Sequence, residues 1–174
     1  MGSLTNKKVA MIIAPRNFRD EEYFQPKVVL QAEGAMIDTI ADTKEEEATG
    51  MKGGKAKIDK TLDKAKAADY EAVVFVGGSG AAKYFTNKKA FDFTKQAVEA
   101  GKVIGAICIA PSILANAGVL KGKKATCFSS EKQNLQKAGA QAQDKPVIVD
   151  GKVITASGPE AAMEFGRELV KALS

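Results

Sequence analysis

The segment Ala106-Ile107-Cys108-Ile109-Ala110 places a cysteine between two small residues at the end of an apolar run. A nucleophile on a sharp turn from a strand into a helix needs small residues two positions before and after it, because the backbone folds back on itself there. A helix N terminus would favour the thiolate, so the spacing predicts a reactive Cys108 with a depressed pKa. A buried, inert cysteine is the alternative that the spacing leaves open.

Glycines follow a second apolar run, in the segment Gly77-Gly78-Ser79-Gly80. Such a run can expose backbone N–H groups as an anion or oxyanion site. The candidate donors are the amides of Gly77 and Gly78, together with that of Ile109 directly after the cysteine. A tight turn into the next helix explains the glycines equally well.

Three acids stand together at Asp20-Glu21-Glu22, and Pro26 lies four residues after the last of them. The proline deprives the Glu22 carbonyl of its helical partner, which predicts an irregular first turn. Neighbouring residues on a helix differ by about 100°, so only one of Glu21 and Glu22 can face the thiol, and the spacing favours Glu22. Burial would raise the pKa of Glu22 and keep it protonated at neutral pH. A solvated cluster that complements the helix dipole is the alternative.

The 174-residue chain contains no histidine. That absence excludes a Ser-His or Cys-His pair and any histidine-containing metal site within the chain. Its two cysteines, Cys108 and Cys127, cannot form a disulfide framework, and no signal peptide is apparent, so we expect a cytoplasmic protein. We interpret Cys127, which has no turn signature around it, as structural.

The net charge is +5, and nearly all of the basic residues are lysines spread along the chain without interleaved aromatics. This pattern favours a solubilising surface over a nucleic-acid interface. The uncharged stretch from Val103 to Leu120 contains glycines and a proline, which predicts a buried strand and helix rather than a membrane span. We therefore expect neither a nucleic-acid nor a membrane partner.

Short apolar runs alternate with helical patterns, which predicts an α/β domain with a mainly parallel sheet. Ligands bind such sheets at the carboxyl ends of the strands, where the three candidate segments fall. Residues 1–7 are expected to be disordered or loosely attached, and residues 8–174 to form one domain. The predicted elements are strands at Lys8–Ala14, Met36–Ala41, Ala72–Val76 and Val103–Ile107, helices at Glu21–Glu33, Thr61–Ala68 and Lys88–Ala100, and hairpins turning at Gly53-Gly54 and Asp150-Gly151.

Several motifs, in order along the chain, resemble the ThiJ/PfpI superfamily. They are Phe18–Pro26 with its glutamate four before a proline, Val74–Gly78, Gly105–Pro111 followed by Gly118–Thr126, and Val149–Pro159. The resemblance extends from about Lys8 to Leu173. It implies a flavodoxin-like three-layer sandwich, usually a homodimer, whose reactive cysteine sits beside a protonated glutamate and needs no cofactor or metal.

Members of that superfamily include peptidases, cofactor-independent glyoxalases, deglycases and chaperones, so membership does not decide the reaction. This chain has Ile109 where protease-type members have a histidine, Ala82 where they have a supporting glutamate, and Ser157 where some members keep an arginine. A Cys-His peptidase is therefore the least supported activity. The favoured hypothesis is chemistry on a small reactive carbonyl through Cys108, with Glu22 as proton donor and acceptor. The alternative is a redox-responsive stress protein or chaperone whose Cys108 oxidises to sulfinate.

Overall fold

A computed structural model describes residues 2–174. Its strands are β1 (Lys8–Ile12), β2 (Arg16–Phe18), β3 (Met36–Ala41), β4 (Glu47–Gly50), β5 (Lys55–Lys57), β6 (Lys60–Thr61), β7 (Ala72–Phe75), β8 (Val103–Ile107), β9 (Lys124–Ala125), β10 (Gln141–Ala142), β11 (Val147–Asp150) and β12 (Val153–Ala156). Its α-helices are α1 (Asp20–Ala32), α2 (Lys88–Glu99), α3 (Pro111–Asn116), α4 (Lys132–Lys137) and α5 (Ala162–Leu173).

Seven strands form the central sheet in the order β11-β12-β8-β7-β1-β3-β6. All neighbouring pairs are parallel except β11 and β12, which form the predicted hairpin at the edge. Strands β1, β7 and β8 are apolar and almost wholly buried, as expected for parallel strands covered on both faces. The predicted α/β class and flavodoxin-like three-layer sandwich are confirmed.

Two hydrophobic clusters separate the layers. One packs α1 and α5 against one face of the sheet, with Leu30, Phe165 and Leu169 fully buried. The other packs α2, α3 and α4 against the opposite face. Gly105 in β8 lets α5 approach closely, because a Cβ there would lie 3.0 Å from the Phe165 ring.

The N-terminal segment corrects one expectation. Residues 2–7 are not loosely attached, because Leu4 is completely buried in the cluster under α1 and α5. The Leu4 amide donates to the Glu33 carbonyl at 2.8 Å, and the Lys7 ammonium donates to the Leu173 carbonyl at 2.5 Å. An apolar side chain at position 4 thus ties the segment to the ends of two helices. Met1 lies outside the described residues.

One further local prediction is wrong. The helix predicted over Thr61–Ala68 is a strand end followed by a single 3₁₀ turn at Ala67–Asp69. The segment after β1 contains β2, which pairs in parallel with β4. The N-cap of α1 is Arg19, and the Asp20 carboxylate accepts the amides of Lys52 and Gly54, each at 2.8 Å. These bonds fasten the tip of the β4–β5 hairpin to the start of α1.

No helix among residues 2–174 is long and apolar enough to cross a membrane.

Candidate active site

Cys108 lies on the turn between β8 and α3, directly after the carboxyl end of the strand. Its backbone has φ of +67°, a left-handed conformation that is rare for a residue with a side chain. Two hydrogen bonds hold the turn: the Cys108 amide donates to the Ala156 carbonyl at 2.9 Å, and the Phe128 amide donates to the Cys108 carbonyl at 2.8 Å. The neighbouring strand end and the segment after β9 therefore fix the backbone that carries the thiol, and the residue is 8% exposed.

Glu22 lies in the first turn of α1 and is completely buried. Neither of its carboxyl oxygens has a partner at full hydrogen-bond geometry. The groups nearest to a bond with it are the Cys108 thiol and the Gly77 amide, and both favour the ionised carboxylate. Burial outweighs them and raises the pKa of Glu22 to about 7, so the carboxyl holds its proton well above the usual range.

Gly77 is the point where Glu22 and Cys108 meet. A Cβ at position 77 would collide with the Glu22 Oε1 and would lie 2.6 Å from both the Cys108 Cβ and the Ile107 carbonyl oxygen. Only a residue without a side chain leaves the thiol and the carboxyl room to approach each other. Gly78 follows with φ of +98°, packed against the backbone of residues 17–19, and it also requires glycine.

The backbone amides predicted as an anion site divide between the two acidic groups. Those of Gly78 and Ile109 interact with Cys108 and favour the thiolate, whereas that of Gly77 interacts with Glu22 and favours its carboxylate. The structure therefore brings together Cys108, Glu22, Gly77, Gly78 and Ile109 at the carboxyl ends of β7 and β8.

The expected depression of the thiol pKa is wrong. Burial raises the pKa of Cys108 to about 12, and the negative charge of Glu22 adds to the rise. The six-residue α3 and two amides do not offset the loss of solvation. Two acids in such close contact titrate as a pair, and ionisation of one opposes ionisation of the other, so they hold one proton between them once the first has been lost.

Glu21 points away from the thiol, toward a group of charges that we call the rim (Arg19, Glu21 and Lys52). Arg19 donates to the Glu21 carboxylate through Nε and Nη2, both at 3.0 Å, and the Lys52 ammonium donates to it at 2.9 Å. These bonds lower the pKa of Glu21 to about 2. The pKa values of these neighbouring acids are therefore shifted in opposite directions. This agrees with the helical angle between them, which allows only one of the two to face the thiol.

Sequence reasoning missed the rim. The scarcity of arginine was visible, since only Arg16, Arg19 and Arg167 interrupt the lysines. Nothing in the spacing linked Arg19 to Lys52, which comes from the tip of a hairpin 33 residues further along the chain. The link depends on Asp20, whose carboxylate holds that tip in place.

Cys127 is half-buried in the wall of an open groove of about 490 Å³. The groove lies between the segment after β9 and the loop after β12. Burial raises the pKa of Cys127 to about 11. Its side chain packs against the cluster under α3 and α4, whereas Cys108 belongs to the cluster on the opposite face. Both thiols are free. Among the described residues, 2–174, no group of three or more His, Cys, Asp or Glu side chains is arranged to hold a metal ion.

Comparison with known proteins covers nearly the whole chain. Residues 7–172 match the DJ-1/PfpI family. An uncharacterized protein of Methanocaldococcus jannaschii is 44% identical over 98% of this chain and 84% of its own length. An uncharacterized protein of Staphylococcus aureus strain Mu50 is 34% identical over 96% of this chain and 98% of its own.

Solved structures agree with these matches. A ThiJ/PfpI domain protein from Brachyspira murdochii superposes with a TM-score of 0.94 at 27% identity, over 97% of both chains. Drosophila melanogaster DJ-1beta superposes with a TM-score of 0.86 at 27% identity, over 99% of this chain and 91% of its own. The resemblance seen in the sequence motifs is confirmed. The chain belongs to the DJ-1/PfpI family.

Proposed function

We propose that this protein is a cysteine-dependent enzyme acting on small α-oxoaldehydes without a cofactor, with Cys108 as nucleophile and Glu22 as proton donor and acceptor. The observation that carries the proposal is the fully buried Glu22 carboxyl placed against the Cys108 thiol across Gly77. A carboxyl with a pKa near 7 can both give and take a proton at neutral pH.

The first step consumes the proton that the pair shares. When the proton is on Glu22, the Cys108 sulfur is a thiolate that the amides of Gly78 and Ile109 stabilise. The thiolate attacks the aldehyde carbon, a C–S bond forms, and the carbonyl oxygen takes the proton from Glu22 to give a hemithioacetal. The Glu22 carboxylate is then free to act as a base.

The second step moves hydrogen between carbons. Glu22 removes the proton from the hemithioacetal carbon and returns it to the neighbouring carbon, while the hydroxyl proton on the first carbon's oxygen passes to the carbonyl oxygen of the second. The first carbon is thereby oxidised to a thioester and the second is reduced to an alcohol. Water then cleaves the thioester, which releases a 2-hydroxy acid and restores the thiol. The oxidation and the reduction balance within the substrate, so no external oxidant is consumed.

Substrate size supports a small aldehyde over a peptide. The Cys108 residue is 8% exposed and Glu22 is fully buried, so only a compact group reaches both. The chain also has no histidine to serve a Cys-His peptidase.

The test is methylglyoxal consumption with lactate as the product. Wild type should turn over, and Cys108→Ala should lose all activity, whereas Cys127→Ser should retain it. Failure of wild type to form lactate, or equal rates for wild type and Cys108→Ala, would overturn the proposal.

One observation favours a second candidate function, that of a peroxide-responsive protein. Both Glu22 oxygens lack full hydrogen-bond partners, so a protonated Glu22 could donate to an oxygen bound on the Cys108 sulfur. Two equivalents of peroxide would convert the thiolate to sulfinate and release two waters. A mass gain of two oxygen atoms at Cys108 after mild peroxide, lost in Glu22→Ala, is the expected result. Oxidation that is indifferent to Glu22 would contradict it.

We also propose that the protein is a homodimer that works in the cytoplasm. The dimer is proposed from family membership, and the two free thiols suit a reducing compartment. A monomeric mass by light scattering at micromolar concentration would contradict the dimer.

A further inference from the structure

The rim carries an unused hydrogen-bond donor. The Nε and Nη2 groups of Arg19 donate hydrogen bonds to the Glu21 carboxylate. Its Nη1 group makes no hydrogen bond within residues 2–174. The Glu21 carboxylate is shared with Lys52, so two cations surround one anion. The Arg19 side chain is 29% exposed, which leaves it open to a ligand.

Arg19 also borders the thiol–carboxyl pair. Its backbone amide donates to the Gly77 carbonyl at 2.9 Å. The same nitrogen lies so close to Gly78 that a side chain at position 78 would collide with it. Its charge acts on both Glu22 and Cys108. Arg19 is therefore bonded to the residue that separates the thiol from the carboxyl, and its guanidinium adds a positive charge to that neighbourhood.

The rim exposes more positive than negative charge to solvent. Asp20 is the further anion, but it is 9% exposed and its two oxygens accept the amides of Lys52 and Gly54. It thus faces the hairpin tip. Glu22 is neutral while it holds its proton, so the charged groups exposed on the rim are two cations and the Glu21 carboxylate.

We propose that Arg19 recognises an anionic group on the substrate, so that the preferred α-oxoaldehyde carries a carboxylate on a carbon beyond the dicarbonyl unit. This inference rests on the proposed function for the identity of the reactive group. The Arg19 Nη1 binds the carboxylate, and Glu21 holds the guanidinium in position. Arginine suits this role because a guanidinium stays charged and pairs with carboxylates directionally.

The first experiment needs no enzyme turnover. Iodoacetate and iodoacetamide alkylate the same thiolate and differ mainly in charge, so their rate ratio reports the potential at Cys108. In a Cys127→Ser background, we expect the ratio to exceed that of N-acetylcysteine amide by about threefold or more at low salt.

Variants of the rim should change that rate ratio in defined directions. Arg19→Gln should lower it toward the free-thiol value, Arg19→Lys should keep part of it, and Glu21→Gln should raise it because a negative charge is removed. Lys55→Gln is the matched control: Lys55 lies on the same hairpin, but its ammonium donates to the Thr49 hydroxyl, and the ratio should stay at the wild-type value. A wild-type ratio equal to that of the free thiol, or Arg19→Gln and Glu21→Gln shifting it in the same direction, would overturn the inference.

The second experiment compares 4,5-dioxopentanoate with the uncharged methylglyoxal. Wild type should favour the anionic aldehyde by about tenfold in kcat/KM, and Arg19→Gln should bring the two values together, mainly through KM for the anion. Equal values in wild type would refute anion recognition and leave the aldehyde chemistry standing. Turnover of neither aldehyde would refute the proposed function, and the alkylation ratio would then decide on the anion site alone.

Discussion

Glu21 and Glu22 are neighbours on one helical turn, yet the first belongs to the half-exposed rim. The second belongs to a buried group that we call the crevice (Glu22, Gly77 and Cys108). Two cations hold Glu21 ionised with a pKa of about 2, and loss of solvation raises that of Glu22 to about 7. The difference comes from direction alone, because the side chains leave the helix about 100° apart. One dipeptide can thereby supply a permanent charge and a movable proton.

The largest expected effect separates the two acids by activity. Glu22→Gln should lower methylglyoxal turnover by about a hundredfold or more, because an amide cannot carry the proton between carbons. Glu21→Gln should lower it by less than about threefold, since its carboxylate faces Arg19 and Lys52. The measurement is kcat for lactate formation in both variants, and equal losses would mean that the crevice and the rim do not differ in role.

The second prediction separates them by stability against pH. The pKa of Glu22 is raised in the folded protein from 4.5 to about 7, so the folded state binds the proton more tightly than the unfolded state. The raised pKa of Glu22 therefore contributes about 3 kcal/mol to the free energy of unfolding. This contribution is fully present below pH 4.5 and is lost as the pH rises through 7.

Urea unfolding of wild type and Glu22→Gln across this range measures the loss. The variant should lack the decline between pH 4.5 and pH 8. A wild-type profile that stays flat would show that Glu22 is solvated rather than buried.

The third prediction concerns the residue that lets the crevice form. Gly77→Ala should destabilise the fold by about 1–3 kcal/mol and impair activity, since its methyl group would overlap the positions of Glu22 and Cys108. Gly158→Ala is the control, because its φ of 168° is extended backbone and its Cβ would lie 3.9 Å from Phe128. Denaturant midpoints and turnover check both variants, and a harmless Gly77→Ala would refute the close approach.

The smallest expected effect belongs to the rim. The pKa of Glu21 is lowered from 4.5 to about 2, so its contribution to stability is present above pH 4.5 and is lost as the pH falls toward 2. The ion pairs are partly exposed, and we expect the contribution to be below about 1 kcal/mol. Glu21→Gln should remove it, and 1 M salt should weaken it. A loss on the acid side as large as the roughly 3 kcal/mol expected for Glu22 on the alkaline side would contradict the contrast between the two regions.

The sequence was informative where chemistry depends on spacing along one segment. The small residues around Cys108 and the distance from Glu22 to Pro26 predicted the turn and the side chain that faces it. Strand–helix alternation predicted the layers for the same reason, since the hydrophobic pattern of each element is visible within a short stretch of sequence.

The sequence was uninformative where the outcome depends on a balance or a distant contact. A helix start suggested a depressed thiol pKa, but the burial that overturned it depends on α1 and on Gly77, which approach only in the folded chain. The roles of Asp20 and Leu4 likewise depend on partners about 30 residues away, at the β4–β5 hairpin tip and the end of α1. Local patterns cannot specify such contacts.

The central claim is that Glu22 holds a proton against Cys108 at neutral pH. Carbon-13 NMR of side-chain carboxyls, with the resonance assigned by its absence in Glu22→Gln, measures this directly. We predict a midpoint near pH 7 for Glu22, together with a Glu21 resonance that stays ionised down to about pH 2. A Glu22 midpoint near 4.5, the value of an exposed glutamate, would contradict the account.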